Sequence, residues 1–120
     1  MIAIVDDEPD IVYILQSIAE RAGYVAKGFT DPGDALDYFR KNCGSCALVI
    51  TDIRMPSTTG FELAREIRKV NPTIKIIFMT AFEINKSEFE KMFPSTRIDR
   101  IIKKPFPASM FLQTIKDTLA

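Results

Sequence analysis

Short apolar runs alternate along this chain with longer stretches in which apolar residues recur every three or four positions. The short runs are rich in Ile and Val and occupy residues 2–5, 25–29, 47–50, 74–79 and 100–102. Runs of this length and composition predict five strands that are buried on both faces. Such strands are typical of a parallel sheet with helices packed on either side.

The longer stretches predict amphipathic helices between the strands. Their apolar positions are Ile11, Ile14, Leu15, Ile18 and Ala22, then Ala35, Leu36 and Phe39, then Phe61, Leu63, Ala64 and Ile67. Pro9, Pro32 and Pro107 suit a first helical turn, where the missing N–H has no intrahelical partner. Gly23 and Asn71 are expected to follow the ends of helices.

Strand and helix therefore alternate from one end of the chain to the other. This order predicts an α/β fold with a doubly wound, five-stranded parallel sheet and right-handed crossovers. The chain has 120 residues, of which 47% are hydrophobic, so it can bury one substantial core. We expect a single domain over residues 1–120.

The charge balance and the lack of histidine narrow the classes of function. Lys plus Arg and Asp plus Glu number 16 each, so the formal net charge is zero, which argues against nucleic-acid binding through phosphate neutralisation. No apolar run approaches the length of a membrane span and no basic leader precedes the first run, so we expect a cytoplasmic protein without membrane contact. Without histidine, the chain cannot supply Ser-His-Asp or Cys-His catalytic groups or a Cys2His2 zinc site.

A group of acids follows the first predicted strand, in the stretch "IAIVDDEPD". Asp6, Asp7 and Glu8 stand side by side at the end of an apolar run. Like charges at this spacing cost free energy unless a cation or hydrogen-bond donors compensate them. The sequence therefore predicts a positive partner at this position.

Polar residues also stand at the carboxyl ends of the third, fourth and fifth predicted strands. Asp52 ends the third strand in "ALVITDIRMP", Thr80 ends the fourth in "IIFMTAF", and Lys104 follows the fifth in "RIIKKPF". In such sheets ligands bind beyond the carboxyl ends of the strands, where the strand order reverses. With the order 2-1-3-4-5, the first and third strands are neighbours and their aspartates converge. Each residue alone has an ordinary explanation, such as an acid at a helix N-terminus or a solvated lysine, and their coincidence at one edge favours a site.

At these residues the sequence resembles the receiver domain of two-component response regulators. The resemblance spans essentially the whole chain through four stretches in order, "IVDDE", "TDIRMP", "MTAF" and "KKPF". It implies the flavodoxin-like fold of that family, with strand order 2-1-3-4-5, and it implies that Asp52 accepts a phosphoryl group. By the same resemblance, Thr80 hydrogen-bonds to a phosphoryl oxygen. Lys104, fixed by a cis bond to Pro105, pairs with the phosphate.

The resemblance also implies a bound Mg²⁺. Asp7 would be a direct ligand and Asp6 a ligand acting through water. Asp52 and the backbone carbonyl of Arg54 would complete the protein's share. Mg²⁺ takes oxygen ligands octahedrally and commonly keeps several waters, so such a set leaves positions for phosphate oxygens.

The implied donor is a phosphohistidine on a sensor histidine kinase or a histidine phosphotransfer protein. The domain would catalyse the uptake and loss of its own phosphoryl group and would not be an enzyme with a separate substrate. Its signal would pass through the face formed by the fifth strand and the helices that follow the fourth and fifth strands. The receiver of that signal would be a downstream protein effector or a second copy of the chain. The sequence leaves open whether the chain is free-standing or the front of a longer protein.

Two other functions stay open at this stage. A small phosphatase with an aspartyl nucleophile shares the acid and Mg²⁺ chemistry, but such enzymes usually carry a second acid two residues after the nucleophile, where this chain has Arg54. A pseudo-receiver would bind partners without phosphorylation. The complete set of acids, Thr80 and Lys104 argues against this alternative.

The sequence departs from the family near its expected output face. Ile101 stands where receiver domains commonly have an aromatic residue, and segment 83–99, which predicts a short helix and then a loop, lacks their small-residue pattern. We therefore expect phosphorylation to reshape this segment by another route. Arg54 and Phe82 are both large and flank the path implied for the hydrolytic water, so we expect slow loss of phosphate.

The stretch "NCGSC" places Cys43 and Cys46 at the spacing of redox and zinc sites. The pair lies at the end of a predicted helix, whereas a redox pair needs a helix N-terminus to lower its thiol pKa. A four-ligand zinc site would lack two ligands in this chain. We expect free thiols, with Cys46 partly buried, and a zinc shared between two copies stays open.

Overall fold

The computed structural model describes residues 1–42, 44–56, 58–81, 87 and 99–120. This part of the chain contains five strands and four helices. The strands are β1 (Ile2–Val5), β2 (Ala26–Phe29), β3 (Leu48–Asp52), β4 (Lys75–Thr80) and β5 (Arg100–Lys103). The helices are α1 (Pro9–Arg21), α2 (Pro32–Lys41), α3 (Gly60–Val70) and α4 (Ala108–Leu119).

The five strands form one parallel sheet in the order β2-β1-β3-β4-β5. The predicted fold class and strand order are therefore confirmed. Strand β1 coincides with its apolar run, whereas β3 continues past its run to Asp52 and β4 continues to Thr80. Two of the predicted site residues thus belong to the ends of strands.

The strand residues alternate between two apolar layers, which explains why each strand is an unbroken apolar run. In β1, Ala3 and Val5 pack with residues of α2 and α3, whereas Ile2 and Ile4 pack with residues of α1 and α4. Helices therefore cover both faces of the sheet. Few polar residues are buried in the described part of the chain, and among them Asp6 and Thr80 lie at the carboxyl edge of the sheet.

Local signals fix where the helices begin and end. Pro9 and Pro32 are the first residues of α1 and α2, as predicted, whereas Pro107 immediately precedes α4 as its cap residue. Gly23 follows α1 with a φ of 97°. In this left-handed conformation a residue with a side chain is less stable by roughly 1–2 kcal/mol, so glycine is favoured there. The carboxylate of Asp31 caps α2 by accepting the N–H of its second residue at 2.8 Å.

Asp99 holds the short strand β5 against β4. Its N–H donates to the carbonyl of Ile76 at 3.0 Å, and its carboxylate accepts the N–H of Ile76 at 2.7 Å. The same carboxylate pairs with Arg68 of α3 at 3.3 Å. These contacts fix the start of the strand whose far end leads into Lys104.

Some expectations fall on residues that the structure does not describe. The short helix predicted in segment 83–99 lies outside the described residues apart from Ser87 and Asp99, and Phe82 lies outside them as well. Among the helices that are described, none has the length and apolar composition that a membrane span requires.

We expect Phe39→Ala to lower the free energy of unfolding by about 3–5 kcal/mol, because it leaves a ring-sized cavity between the sheet and α2. Phe39 is fully buried, whereas Tyr13 on α1 is 74% exposed. Tyr13→Ala is therefore the control, with an expected change within about 0.5 kcal/mol. Urea unfolding followed by circular dichroism measures both. Equal losses in the two variants would contradict this account of the core.

Candidate functional site

Three carboxylates meet at the carboxyl edge of the sheet. Asp6 follows β1, Asp52 ends β3, and one oxygen from each of Asp6, Asp7 and Asp52 lies within 4.8 Å of the others. The cause is the parallel register of the two central strands, which pairs Val5 with Thr51 and so brings the next residues together. We call these three aspartates the acidic cluster. It is the convergence that the strand-end positions predict.

Lys104 brings a positive charge to the acidic cluster from the other end of the chain. Its Nζ donates to Oδ2 of Asp6 at 2.7 Å and lies 3.6 Å from Oδ1 of Asp52. Its backbone N–H donates to the carbonyl of Thr80 at 2.7 Å, and its peptide bond to Pro105 is cis. Lys104 is thus the positive partner that the adjacent acids require in this structure.

Asp6 is the buried anchor of this arrangement. Its side chain has no solvent exposure, whereas those of Asp52 and Lys104 are 14% and 21% exposed. While Oδ2 binds Lys104, Oδ1 accepts the N–H of Glu8 at 3.0 Å. Both oxygens of the buried carboxylate are therefore hydrogen-bonded, which offsets the cost of burying its charge.

Burial disfavours the charged form of Asp52. It raises the pKa of this carboxyl above its ordinary value, and although Lys104 lowers it, the charges of Asp6 and Asp7 raise it further. The N–H of Ile53, which donates to Oδ1 of Asp52 at 3.0 Å, also favours the charged form. The net effect is a raised pKa. Additional positive charge beside Asp52 would therefore be bound favourably.

The same neighbours keep Lys104 charged. Burial lowers the pKa of Lys104, but the hydrogen bond and charge of Asp6, with the charges of Asp52 and Glu8, outweigh it and leave the pKa raised. The lysine is therefore a permanent cation at neutral pH. Lys103, by contrast, is exposed.

The other two predicted residues lie at the same edge. Thr80 is the buried last residue of β4, and the register places Asp52 beside Met79, one residue earlier. Arg54 is exposed in the loop that follows β3. The structure therefore brings the acidic cluster and Lys104 together and places Thr80 and Arg54 on the adjoining strand end and loop.

Sequence reasoning missed the contact between the start of α3 and the end of β3. The N–H of Gly60 donates to the carbonyl of Ile53 at 2.8 Å, and Thr59 caps the helix by accepting the N–H of Glu62 at 3.2 Å. A signal existed in "TTGFE", because Thr followed three residues later by Glu is the pattern of a capping box. That pattern predicts the helix start but not what the helix start touches.

Of the two cysteines, the structure describes only Cys46. Cys46 is a free thiol that is 6% exposed, so it is more deeply buried than expected, and its Sγ donates to the carbonyl of Leu48 at 3.3 Å. Burial raises the pKa of this thiol, which makes it a poor nucleophile. Cys43 lies outside the described residues.

The donor set of the acidic cluster fits a hard divalent cation. Three carboxylates supply only oxygen atoms, which are the ligands that Mg²⁺ prefers. Lys104 balances one of their three charges, so a net negative charge remains to attract a cation.

Comparison with known proteins places these features in a recognised group. A family model of the response regulator receiver domain matches residues 2–116. The chain is 31% identical over 105 residues to the response regulator receiver protein CpdR of Brucella abortus, a match that covers 88% of this chain and 84% of that protein.

A sensor kinase and a solved structure extend the comparison. The chain is 30% identical over 115 residues to the sensor histidine kinase RcsC of Escherichia coli, covering 96% of this chain but only 12% of the kinase. A crystal structure of a CheY-like receiver domain protein from Methanospirillum hungatei has a TM-score of 0.86 and 27% identity, covering 98% of this chain and 91% of that one. The chain thus matches nearly all of some relatives and about one eighth of others.

We expect Asp52→Asn to raise the free energy of unfolding at about pH 7 in Mg²⁺-free buffer, because the folded chain holds the Asp52 proton more tightly than the unfolded chain does. Folding raises the pKa of Asp52. The free energy of unfolding therefore falls as the pH rises from the pKa of Asp52 in the unfolded chain to its pKa in the folded chain. Above both values the full destabilisation by the charged carboxylate is present. Asparagine removes the charge but keeps an oxygen for the Ile53 N–H. Urea unfolding across this pH range measures the gain.

The matched control is Asp37→Asn. Because the Asp37 side chain is 68% exposed, loss of its charge should change the free energy of unfolding much less than loss of the Asp52 charge. The gain from Asp52→Asn should shrink at about pH 3, where both states of the wild type are protonated. An equal gain at both pH values would contradict the electrostatic cause.

Proposed function

This chain belongs to the response regulator receiver domain family, and from that premise we propose that it accepts a phosphoryl group on Asp52 in a Mg²⁺-dependent reaction. Receiver domains act in two-component phosphorelay signalling, bind Mg²⁺ at an acidic pocket, and are signalling domains rather than classical enzymes. The observation that carries the proposal is the position of Asp52, next to two further carboxylates and 3.6 Å from a lysine ammonium.

The proposed acceptor step uses Asp52 as the nucleophile. One oxygen of its carboxylate attacks the phosphorus of a phosphohistidine, a new O–P bond forms, and the P–N bond breaks with its electron pair returning to the imidazole nitrogen. Such transfers depend chiefly on positioning and on stabilising charge at the phosphoryl oxygens.

Each neighbouring residue has a proposed part in this step. Asp6, Asp7, Asp52 and the carbonyl of Arg54 would hold Mg²⁺, which when bound supplies positive charge beside the phosphoryl oxygens. Lys104 would pair with the phosphoryl group, and its contact with the buried Asp6 holds the ammonium ready beside Asp52. Thr80 would donate its hydroxyl to a phosphoryl oxygen from the end of β4.

The proposed donors are a sensor histidine kinase and a histidine phosphotransfer protein, which the likeness to sensor kinases supports. The proposed output face combines β5, α4 and the segment before β5, and its target is a downstream protein or a second copy of the chain. Ile101 on β5 is half-buried against the layer that contains Phe78. Receiver domains commonly have an aromatic residue at this position. The aliphatic side chain of Ile101 therefore supports a route of switching that does not depend on the movement of an aromatic ring.

A groove beside the site supports docking of the donor protein. It has a volume of about 210 Å³ and lies between α1 and α4, and we call it the α1–α4 groove. Its lining includes the apolar residues Ile14 and Phe106 and also Lys104. Since Lys104 also contacts the acidic cluster, an apolar surface seated in the groove would bring a donor histidine next to Asp52.

We expect wild-type protein with acetyl phosphate and Mg²⁺ to gain one phosphoryl group in its intact mass. Asp52→Asn should abolish this gain, because it removes the nucleophile, and removal of Mg²⁺ with EDTA should abolish it too. Asp37→Asn, which changes an exposed aspartate on α2, should behave as wild type. Turnover with release of phosphate and no modified chain would favour a phosphatase, and no reaction at all would favour a pseudo-receiver.

We expect Ile14→Asp to slow transfer from a histidine phosphotransfer protein by about tenfold, because it places a charge at the centre of an apolar contact. Uptake from acetyl phosphate should not change, since that donor needs no groove. Val25→Asp is the control. Val25 is 73% exposed, as Ile14 is 51% exposed, but it immediately precedes β2 and so lies at the amino edge of the sheet, away from the groove. Equal transfer rates in wild type and Ile14→Asp would refute docking in the α1–α4 groove.

A further inference from the structure

The first residue of α3 packs directly against the backbone that carries Asp52. Gly60 is buried, and a Cβ atom at this position would collide with the carbonyl oxygen of Asp52. The same atom would lie 3.1 Å from Cα of Ile53 and 3.2 Å from the carbonyl carbon of Asp52. Because all three neighbours are backbone atoms, no side-chain rotation could relieve the contact. Only glycine fits without a shift of the main chain.

Two hydrogen bonds link Gly60 to the carboxylate of Asp52. The Gly60 N–H donates to the carbonyl of Ile53 at 2.8 Å. The Ile53 N–H in turn donates to Oδ1 of Asp52 at 3.0 Å, and it also lies 3.1 Å from the carbonyl of Met79 on β4. The peptide units around Ile53 are therefore held from one side by α3 and orient the carboxylate on the other.

The helix start is itself fixed, so it cannot slide away from β3 at low cost. Oγ1 of Thr59 accepts the N–H of Glu62 at 3.2 Å, and the Glu62 carboxylate accepts the hydroxyl of Thr58 at 2.9 Å. Further along the helix, Leu63 and Ile67 are buried in the core. A side chain at position 60 would therefore displace the end of β3 and the loop that follows it.

We propose that Gly60 is a positioning residue for the phosphoryl site. By allowing the α3 backbone to lie against Asp52 and Ile53, it sets where the Asp52 carboxylate and the following Arg54 carbonyl stand. These are two of the proposed Mg²⁺ ligands, so Gly60 acts on metal binding and phosphoryl uptake through them. The inference rests on the proposed function, because it concerns the same site.

The test compares two alanine substitutions at glycine positions by titration calorimetry with MgCl2 on the folded protein. Gly60→Ala should weaken Mg²⁺ binding by about tenfold or more, the range seen when residues that orient metal ligands are changed, and it should slow uptake from acetyl phosphate. Gly23→Ala should destabilise the chain through its positive φ yet keep the wild-type Kd for Mg²⁺. Gly23 follows α1, at the amino edge of the sheet, so it separates loss of stability from loss of positioning.

The outcomes distinguish this inference from the proposed function. If the wild type binds Mg²⁺ and takes up phosphate but Gly60→Ala has an unchanged Kd for Mg²⁺, the positioning role alone is overturned. Wild type that does neither overturns both. If Gly60→Ala does not fold, Thr59→Ala replaces it, because loss of the cap loosens the same helix start, and the expected result is a smaller weakening of Mg²⁺ binding. An unchanged Kd in that variant overturns the inference.

Discussion

Repulsion among three carboxylates within 4.8 Å of one another governs the carboxyl edge of this sheet. One of them, Asp6, is fully buried, and its charge is tolerated because Lys104 and the Glu8 N–H each bind one of its oxygens. The compensation is incomplete, since one lysine faces three acids. A net negative charge therefore remains at the site, and a further cation would neutralise it.

Two anchors outside the acidic cluster hold this edge in place. On one side, the first residue of α3 donates a hydrogen bond to the carbonyl of Ile53, whose own N–H donates to the Asp52 carboxylate. On the other side, Asp99 exchanges two hydrogen bonds with Ile76 and pairs with Arg68, which fixes where β5 begins. Lys104 reaches the acids only because β5 lies in that register. The chemistry at the edge thus depends on contacts made by α3 at both ends of the helix.

Much of this arrangement could be predicted from the sequence, for reasons that are physical. Strands buried on both faces leave unbroken apolar runs, and in a parallel sheet their carboxyl ends must share an edge, so Asp6, Asp52 and Lys104 could be placed together. The apolar run of the third strand stops at Ile50, but β3 continues to Asp52, which still pairs with Met79 as the strand-end position predicts. The fit of Gly60 could not be predicted, since it depends on how closely two distant backbones approach. The anchoring by Asp99 likewise depends on a partner far away in the chain.

Lys104 follows Asp6 by 98 residues. During synthesis the amino-terminal strands leave the ribosome long before the lysine does, and an emerging chain can begin to fold before it is complete. A nascent chain that stops short of β5 would carry its aspartates without their partner. The positive charge of Lys104 is therefore added to the sheet edge only after β5 has formed, which ties the readiness of the acceptor to the completion of the whole sheet.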